Sequence, residues 1–208
     1  MVKQERAGRT RQAVLLAAAG TFADVGFESA SLVDISRRAG VSKGALYFHF
    51  VSKQALADGV RAAAGREIGA AALRALRAGG PAVQGLVDLS HELARLLRED
   101  VVVRAGVQLG RAGHGPRRDP AGRPGSGAAW RGLTTVVHRL LGRAADAGEL
   151  RPGTDRRAAA ELLTALAAGL VLLAAEDADR LGPEAVRGIW AAALPALVDA
   201  DRCAAYRL

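Results

Sequence analysis

The run Ser42-Lys43-Gly44-Ala45-Leu46-Tyr47-Phe48-His49-Phe50 holds the residues best suited to chemistry with a partner. The Ser42 hydroxyl can accept from the free backbone N–H groups of a helix's first turn. Gly44 and Ala45 are small enough to let that helix approach another surface closely. Lys43, Tyr47 and His49 put a cation, a hydroxyl and an imidazole at the tips of longer side chains. Leu46 and Phe50, four residues apart, share the opposite role of fixing the helix to whatever lies beneath it. Such a helix suits hydrogen bonds to phosphate, with small residues free to meet base edges.

The segment before it, 31–40, reads as a second short helix. Ser31 and Asp34 form an S-x-x-D capping box, and Gly40 suits a left-handed stop. Helix, glycine turn, helix is a helix-turn-helix, whose second helix reads DNA. The same spacing also describes two short helices of an ordinary all-α core, and spacing alone leaves both readings open. A third helix over 10–25, stopped by Gly26, completes the small bundle. Its expected core is Phe22, Phe27, Leu32, Ile35, Ala39, Val41, Leu46 and Phe50. Upstream, residues 3–11 read as a basic arm with Lys3, Arg6, Arg9 and Arg11. It is either a solvated terminus or a source of phosphate and minor-groove contacts.

The totals bound what surrounds this element. The chain has 208 residues, of which half are hydrophobic but only 4% aromatic, so its core must be built from Ala, Leu and Val. The net charge of +8 suits a polyanionic partner, yet the excess is spread. Residues 1–60 hold eight Lys/Arg against five Asp/Glu, and residues 61–208 hold 21 against 16, so charge alone locates no DNA face. A single cysteine, Cys203, excludes an intrachain disulfide. The start is too polar for a signal peptide, and the longest uncharged run, 162–175, is shorter than the roughly 18 residues of a membrane span. The expectation is a cytoplasmic protein with no membrane partner.

Periodicity places six more helices. Ser52 can cap one over 53–78, and Pro81 opens another over 81–98. A short one over 101–109 gives way to a Pro- and Gly-rich loop over 110–127, and the next helix runs over 128–147 to Gly148. The helix over 155–176 is apolar nearly all round from Leu162, which implies burial on more than one side. The last, over 183–200, repeats apolar residues at helical spacing from Val186 to Val198. A domain this small needs both to be so apolar only if a second subunit covers them.

Other chemistries find no support. His49, His91, His114 and His138 have no ligand spacing and no cysteine partners, so no metal or other cofactor is expected. Gly125-Ser126-Gly127 lacks the first glycine of G-x-S-x-G, and Trp130 occupies the third glycine position of G-x-G-x-x-G. Glu161 and Glu176 are single acids at helix ends. The chain does not read as an enzyme.

The residues from Arg9 to Leu56 resemble the TetR family of regulators. The match carries Ala17-Ala18, Phe22, Gly26-Phe27, Leu32, Ile35, Ala39-Gly40-Val41 and the run from Ser42 to Phe50 with Ser52-Lys53. The resemblance implies an all-α fold of about nine helices: a three-helix DNA-binding domain over 1–56 and a ligand-binding and dimerisation domain over 57–208. It implies a homodimer on a pseudo-palindromic operator. Arg9, Ser42, Lys43, Gly44, Ala45, Tyr47, His49 and Lys53 would contact DNA: Lys43, Tyr47, His49 and Lys53 at phosphates, Arg9 at phosphate or in the minor groove, Gly44 and Ala45 at the bases. The last two helices of each protomer would form a four-helix interface, burying Leu166, Leu170, Leu173, Trp190, Leu194 and Leu197.

A second resemblance is to the γ-butyrolactone receptors of actinobacteria. It rests on the run from Val103 to Leu109, on Trp130, on Gly148-Glu149-Leu150, and on the run from Gly44 to Phe50. It implies a small apolar signal in a cavity framed by Leu86, Leu89, Leu93, Val107, Trp130, Leu133, Val137 and Leu163, with Gln108 and Thr164 as polar anchors. The walls are richer in alanine and glycine than that group's pattern, which leaves the ligand open among lactones, butenolides, furans and antibiotics.

Overall fold

A computed structural model describes residues 2–111 and 126–208, with side chains over 4–110 and 130–208. Among the described residues every regular element is helical. The α-helices are α1 (Val2–Ser29), α2 (Leu32–Arg38), α3 (Lys43–His49), α4 (Lys53–Arg77), α5 (Ala82–Glu99), α6 (Val101–Arg111), α7 (Ser126–Asp146), α8 (Arg156–Glu176) and α9 (Pro183–Ala193). Short 3₁₀ turns lie at Ala178–Leu181, Leu194–Ala196 and Ala200–Ala205. Most of the loop expected over 110–127 falls outside the described residues.

Two boundaries differ from expectation, each for a local reason. The basic arm is helical, because α1 begins at Val2 rather than near Thr10. Lys, Gln, Glu, Arg and Ala are strong helix formers even where no apolar period marks them. At the other end, α9 stops at Ala193 and tightens into a 3₁₀ turn. Pro195 has no N–H to donate and crowds the preceding turn, so the α-helix cannot run on to 200. Gly26 breaks α1 where expected, at φ 77° and ψ 169°.

The chain divides into two compact units, one of Met1–Glu67 with Asp100–Ala129, the other of Ile68–Glu99 with Trp130–Leu208. In the first, Phe22, Ile35, Leu46 and Phe50 are buried and Phe27, Leu32, Ala39 and Val41 pack partly buried against them. The same core takes Leu56, Ala57 and Val60 from α4, and Val102, Ala105 and Leu109 from α6. Asp100 caps α6 by accepting from Val102 N at 2.7 Å. Gly106 of α6 lies so close to α4 that a Cβ there would collide with the Cβ of Ala64. Beside it Arg61 is buried and paired with Asp58, and that burial lowers its pKa.

In the second unit α5 is the central helix, burying ten residues from Ala82 to Leu97. The turn between α7 and α8 is built on Gly148, at φ 64°. Glu149 N donates to Ala144 O at 2.8 Å and Gly148 N to Ala145 O at 3.0 Å, the paired bonds of a left-handed helix stop. That geometry turns the Glu149 side chain inward, where it is buried and accepts from Ala82 N at 2.7 Å and Val83 N at 2.9 Å. A carboxylate thus occupies the positive end of α5, far from it in sequence. The Tyr206 hydroxyl lies 3.5 Å from the same carboxylate, and burial followed by that negative charge raises its pKa.

The helix expected to be buried on several sides, α8, leaves an apolar side uncovered. Leu162 is 42% and Leu172 is 48% exposed. By length and apolarity α8 would suffice to cross a membrane, and only 39% of its apolar stretch is buried in the chain.

Candidate nucleic-acid interface

The helix-turn-helix is assembled from caps and a shared core. Ser31 Oγ accepts from Val33 N at 3.2 Å and opens α2. The capping box is only half formed, since Asp34 turns away to bind Arg37 at 3.0 Å. Gly40 makes the left-handed turn at φ 65°, with Val41 N donating to Ser36 O at 3.1 Å. Ser42 Oγ then accepts from Ala45 N at 3.2 Å and starts α3. Leu46 pins the middle of α3, and Phe50 closes its end. Ser52 Oγ accepts from Ala55 N at 3.0 Å to start α4, and Arg38 bonds Asp24 at 2.6 Å, tying α2 to α1.

The expected contact residues fall into two groups. Arg9, Ser42, Lys43, Gly44 and Tyr47 are exposed, with Ala45 and His49 half-buried. The Lys43 ammonium stands 5.9 Å from the Tyr47 ring centre, so the two tips neighbour each other. Lys53 behaves differently. Its ammonium donates to Glu28 O at 2.9 Å and Ala30 O at 3.2 Å and lies 4.7 Å over the Phe27 ring. Two of its three donors therefore hold the exit of α1 to the start of α4. Arg11 likewise covers Phe50 at 5.0 Å.

One residue of this helix was absent from the expected set. Phe48 is 82% exposed, with its ring edge-on to His49 at 5.1 Å between centres. The signal was present in the spacing, since a residue two positions from buried Leu46 on a helix faces nearly the opposite way.

The expected ligand residues divide between the units. Val107 and Gln108 lie half-buried in the first. In the second, Leu86, Leu89, Leu93, Leu133, Val137 and Leu163 are buried, Thr164 is half-buried and Trp130 is 37% exposed at the start of α7. Two open clefts of the second unit, of about 340 and 520 Å³, are lined by other residues. Among the described residues no cluster of His, Cys, Asp or Glu has the makings of a metal site.

The expected dimer residues need correction. Leu170, Trp190, Leu194 and Leu197 are 0 or 1% exposed within a single chain, so they form the second unit's own core and have no surface left for a partner. Leu166 and Leu173 are half-buried. The exposed apolar positions of α8 are instead Ala158, Leu162, Ala165, Leu172 and Ala175, with Glu161 exposed among them, and the exposed positions of α9 include Ala185, Gly188, Ala191 and Ala192.

Residues 14–60 match a family model described as bacterial regulatory proteins, tetR family, and residues 104–199 match one described as BetI-type transcriptional repressor, C-terminal. The A-factor receptor protein of Streptomyces griseus is 33% identical over 201 residues, which are 95% of this chain and 67% of that protein. A crystal structure of a gamma-butyrolactone receptor, an ArpA-like protein, has a TM-score of 0.80 at 28% identity, covering 97% of this chain and 94% of that one. CprB of Streptomyces coelicolor, solved in complex with its biological operator sequence, has a TM-score of 0.75 at 28% identity, with the same coverage of 97% and 94%.

Proposed function

The chain belongs to the TetR family of bacterial transcriptional regulators, and from that premise we propose that it is a cytoplasmic, homodimeric repressor released from its operator by a small γ-butyrolactone-like signal. The observation that carries the DNA half is α3 itself. Its start is capped by Ser42, Leu46 fixes one face in the core, and the other face presents Lys43, Gly44, Tyr47 and Phe48 to solvent. Two such helices, one per protomer, fit successive major grooves about one helical turn apart. Residues 1–56 form the DNA-binding part, with Arg9, Lys43, Tyr47 and His49 on phosphates and Gly44 and Ala45 at base edges. Lys53 contributes the donor left over from its carbonyl contacts. Residues 57–208 serve ligand binding and dimerisation.

The dimer reading is supported by the uncovered side of α8 together with the small outward residues of α9. Small residues let helices of two protomers approach closely, and Leu162 and Leu172 supply the apolar area. The ligand reading is supported by Trp130, the residue carrying one of the chain's two indoles, standing part-exposed on a helix whose next buried positions are aliphatic. Leu86, Leu89, Leu93, Leu133, Val137 and Leu163, all of the second unit, supply the apolar wall, and Thr164 the anchor for a carbonyl or hydroxyl. A ligand releases DNA only if it binds more tightly to the conformation with the reading helices wrongly spaced. The continuous helix α4 is the covalent route for that change.

The test is competition between a palindromic duplex selected from random DNA and a scrambled duplex at one fixed salt concentration, with sedimentation at micromolar protein. The reading expects a dimer with strong preference for the selected duplex. Equal affinity for the two duplexes, or a stable monomer, defeats it.

A further inference from the structure

The feature the proposed function leaves unused is the ring of Phe48. It rests on that function, and it concerns how α3 reads sequence. On a helix of 3.6 residues per turn, Gly44 and Phe48 lie one above the other, opposite Leu46. Leu46 is buried and marks the inward direction, so the Gly44–Phe48 ridge is the outermost line of α3. The Phe48 ring meets His49 edge-on at 5.1 Å, and Gly44 is left open, since a Cβ there would meet nothing closer than Ser42 Oγ at 4.0 Å. Lys43 and Tyr47 stand together to one side of this ridge, and they carry the polar tips.

The ridge itself has no side-chain donor or acceptor. The ring is 82% exposed, and its hydrocarbon surface gains free energy when an apolar group covers it. Of all groups on the major-groove edges of the four bases, only the thymine C5-methyl is apolar. We propose that Phe48 is a specificity-determining residue that packs on thymine methyl groups at symmetric positions of each operator half-site. Recognition along the ridge is then by apolar contact, with register set by the phosphate contacts of Lys43 and Tyr47.

Replacement of thymine by deoxyuridine removes that methyl and leaves every hydrogen-bonding group in place. The experiment selects a duplex from random DNA with the wild-type protein, then replaces its thymines by deoxyuridine one symmetric pair at a time. Binding is measured by fluorescence anisotropy for wild type, Phe48→Ala and Phe48→Leu at one salt concentration. Wild type is expected to lose about three- to tenfold in affinity at one or two pairs. Phe48→Ala should lose a similar factor on the thymine duplex and be indifferent to deoxyuridine at those same pairs, with Phe48→Leu retaining part of the difference. Because the ring is exposed, thermal melts should match wild type, which separates a lost contact from a lost fold. If Phe48→Ala remains as sensitive to those substitutions as wild type, or no thymine pair matters, the assignment of Phe48 is overturned while operator binding stands. If no duplex is enriched, operator binding fails and this inference with it.

Discussion

Glu149 offers the sharpest test of how the second unit is held together. Its carboxylate is buried and accepts from two N–H groups at the start of α5 at 2.7 and 2.9 Å. Glu149→Ala leaves both donors without an acceptor in a site closed to bulk water. A buried donor stripped of its partner costs roughly 1–3 kcal/mol, so the two together cost on the order of 3–4 kcal/mol. Loss of the negative charge at the helix's positive end adds about 0.3–1 kcal/mol. The expected destabilisation is about 4 kcal/mol. At roughly 2–4 °C per kcal/mol for a chain of this size, the midpoint should fall by about 8–16 °C. Glu149→Gln keeps one carbonyl acceptor but loses the charge, so it should fall between, at about 2 kcal/mol. Melts followed by circular dichroism must be run at one protein concentration, because a dimer's midpoint depends on it. Urea titration should show a lower midpoint with unchanged slope. If Glu149→Ala melts within about 2 °C of wild type, the capping account is wrong.

Ser42→Ala removes the acceptor for Ala45 N and should destabilise α3 by about 0.5–2 kcal/mol, read as weaker binding to a selected operator with little change in overall helicity. Leu172→Glu puts a charge on the uncovered side of α8 and should give folded monomers by sedimentation. A charge at Leu170 should instead unfold the chain, since that side chain is 1% exposed. A fully dimeric Leu172→Glu protein would remove α8 from the interface. The pKa of His91 is lowered, first by burial, with Asp88 opposing and Arg187 reinforcing. A histidine held below its unfolded value contributes stability that is full above the ordinary value near 6.5 and is lost as pH falls toward its folded value. Wild type should therefore lose more stability than His91→Gln between pH 7 and pH 5, and parallel curves would contradict the assignment.

What the sequence made legible follows from where the decisive signals sit. Ser42, Leu46 and Phe50 are local signals, and a cap with a four-residue apolar repeat suffices to place α3. The helices α2 to α8 begin and end within two residues of expectation because caps, glycines and prolines punctuate them. The early start of α1 carried no apolar period and so gave no sign. The membership of α6 in the first core is a tertiary fact: Val102, Ala105 and Leu109 are apolar at helical spacing, but spacing names no partner. The same blindness misplaced Trp190 and Leu170. One helix apolar nearly all round beside another with a full apolar stripe predicts that something covers them, and only the fold says which side is inward. Glu149 read as one residue of a turn, since its target lies 67 positions upstream.

Whether an apolar lactone-like signal releases DNA is decided by a displacement titration. A labelled operator duplex, bound by wild type and by Trp130→Ala, is titrated with γ-butyrolactones, butenolides and furans while anisotropy is followed. One of these classes should free the duplex from wild type. Trp130→Ala should bind DNA as well as wild type but need about tenfold more ligand, a difference of about 1.4 kcal/mol. If none of the three classes releases the duplex, or if Trp130→Ala releases it at the wild-type ligand concentration, the protein does not sense a lactone-like signal through Trp130.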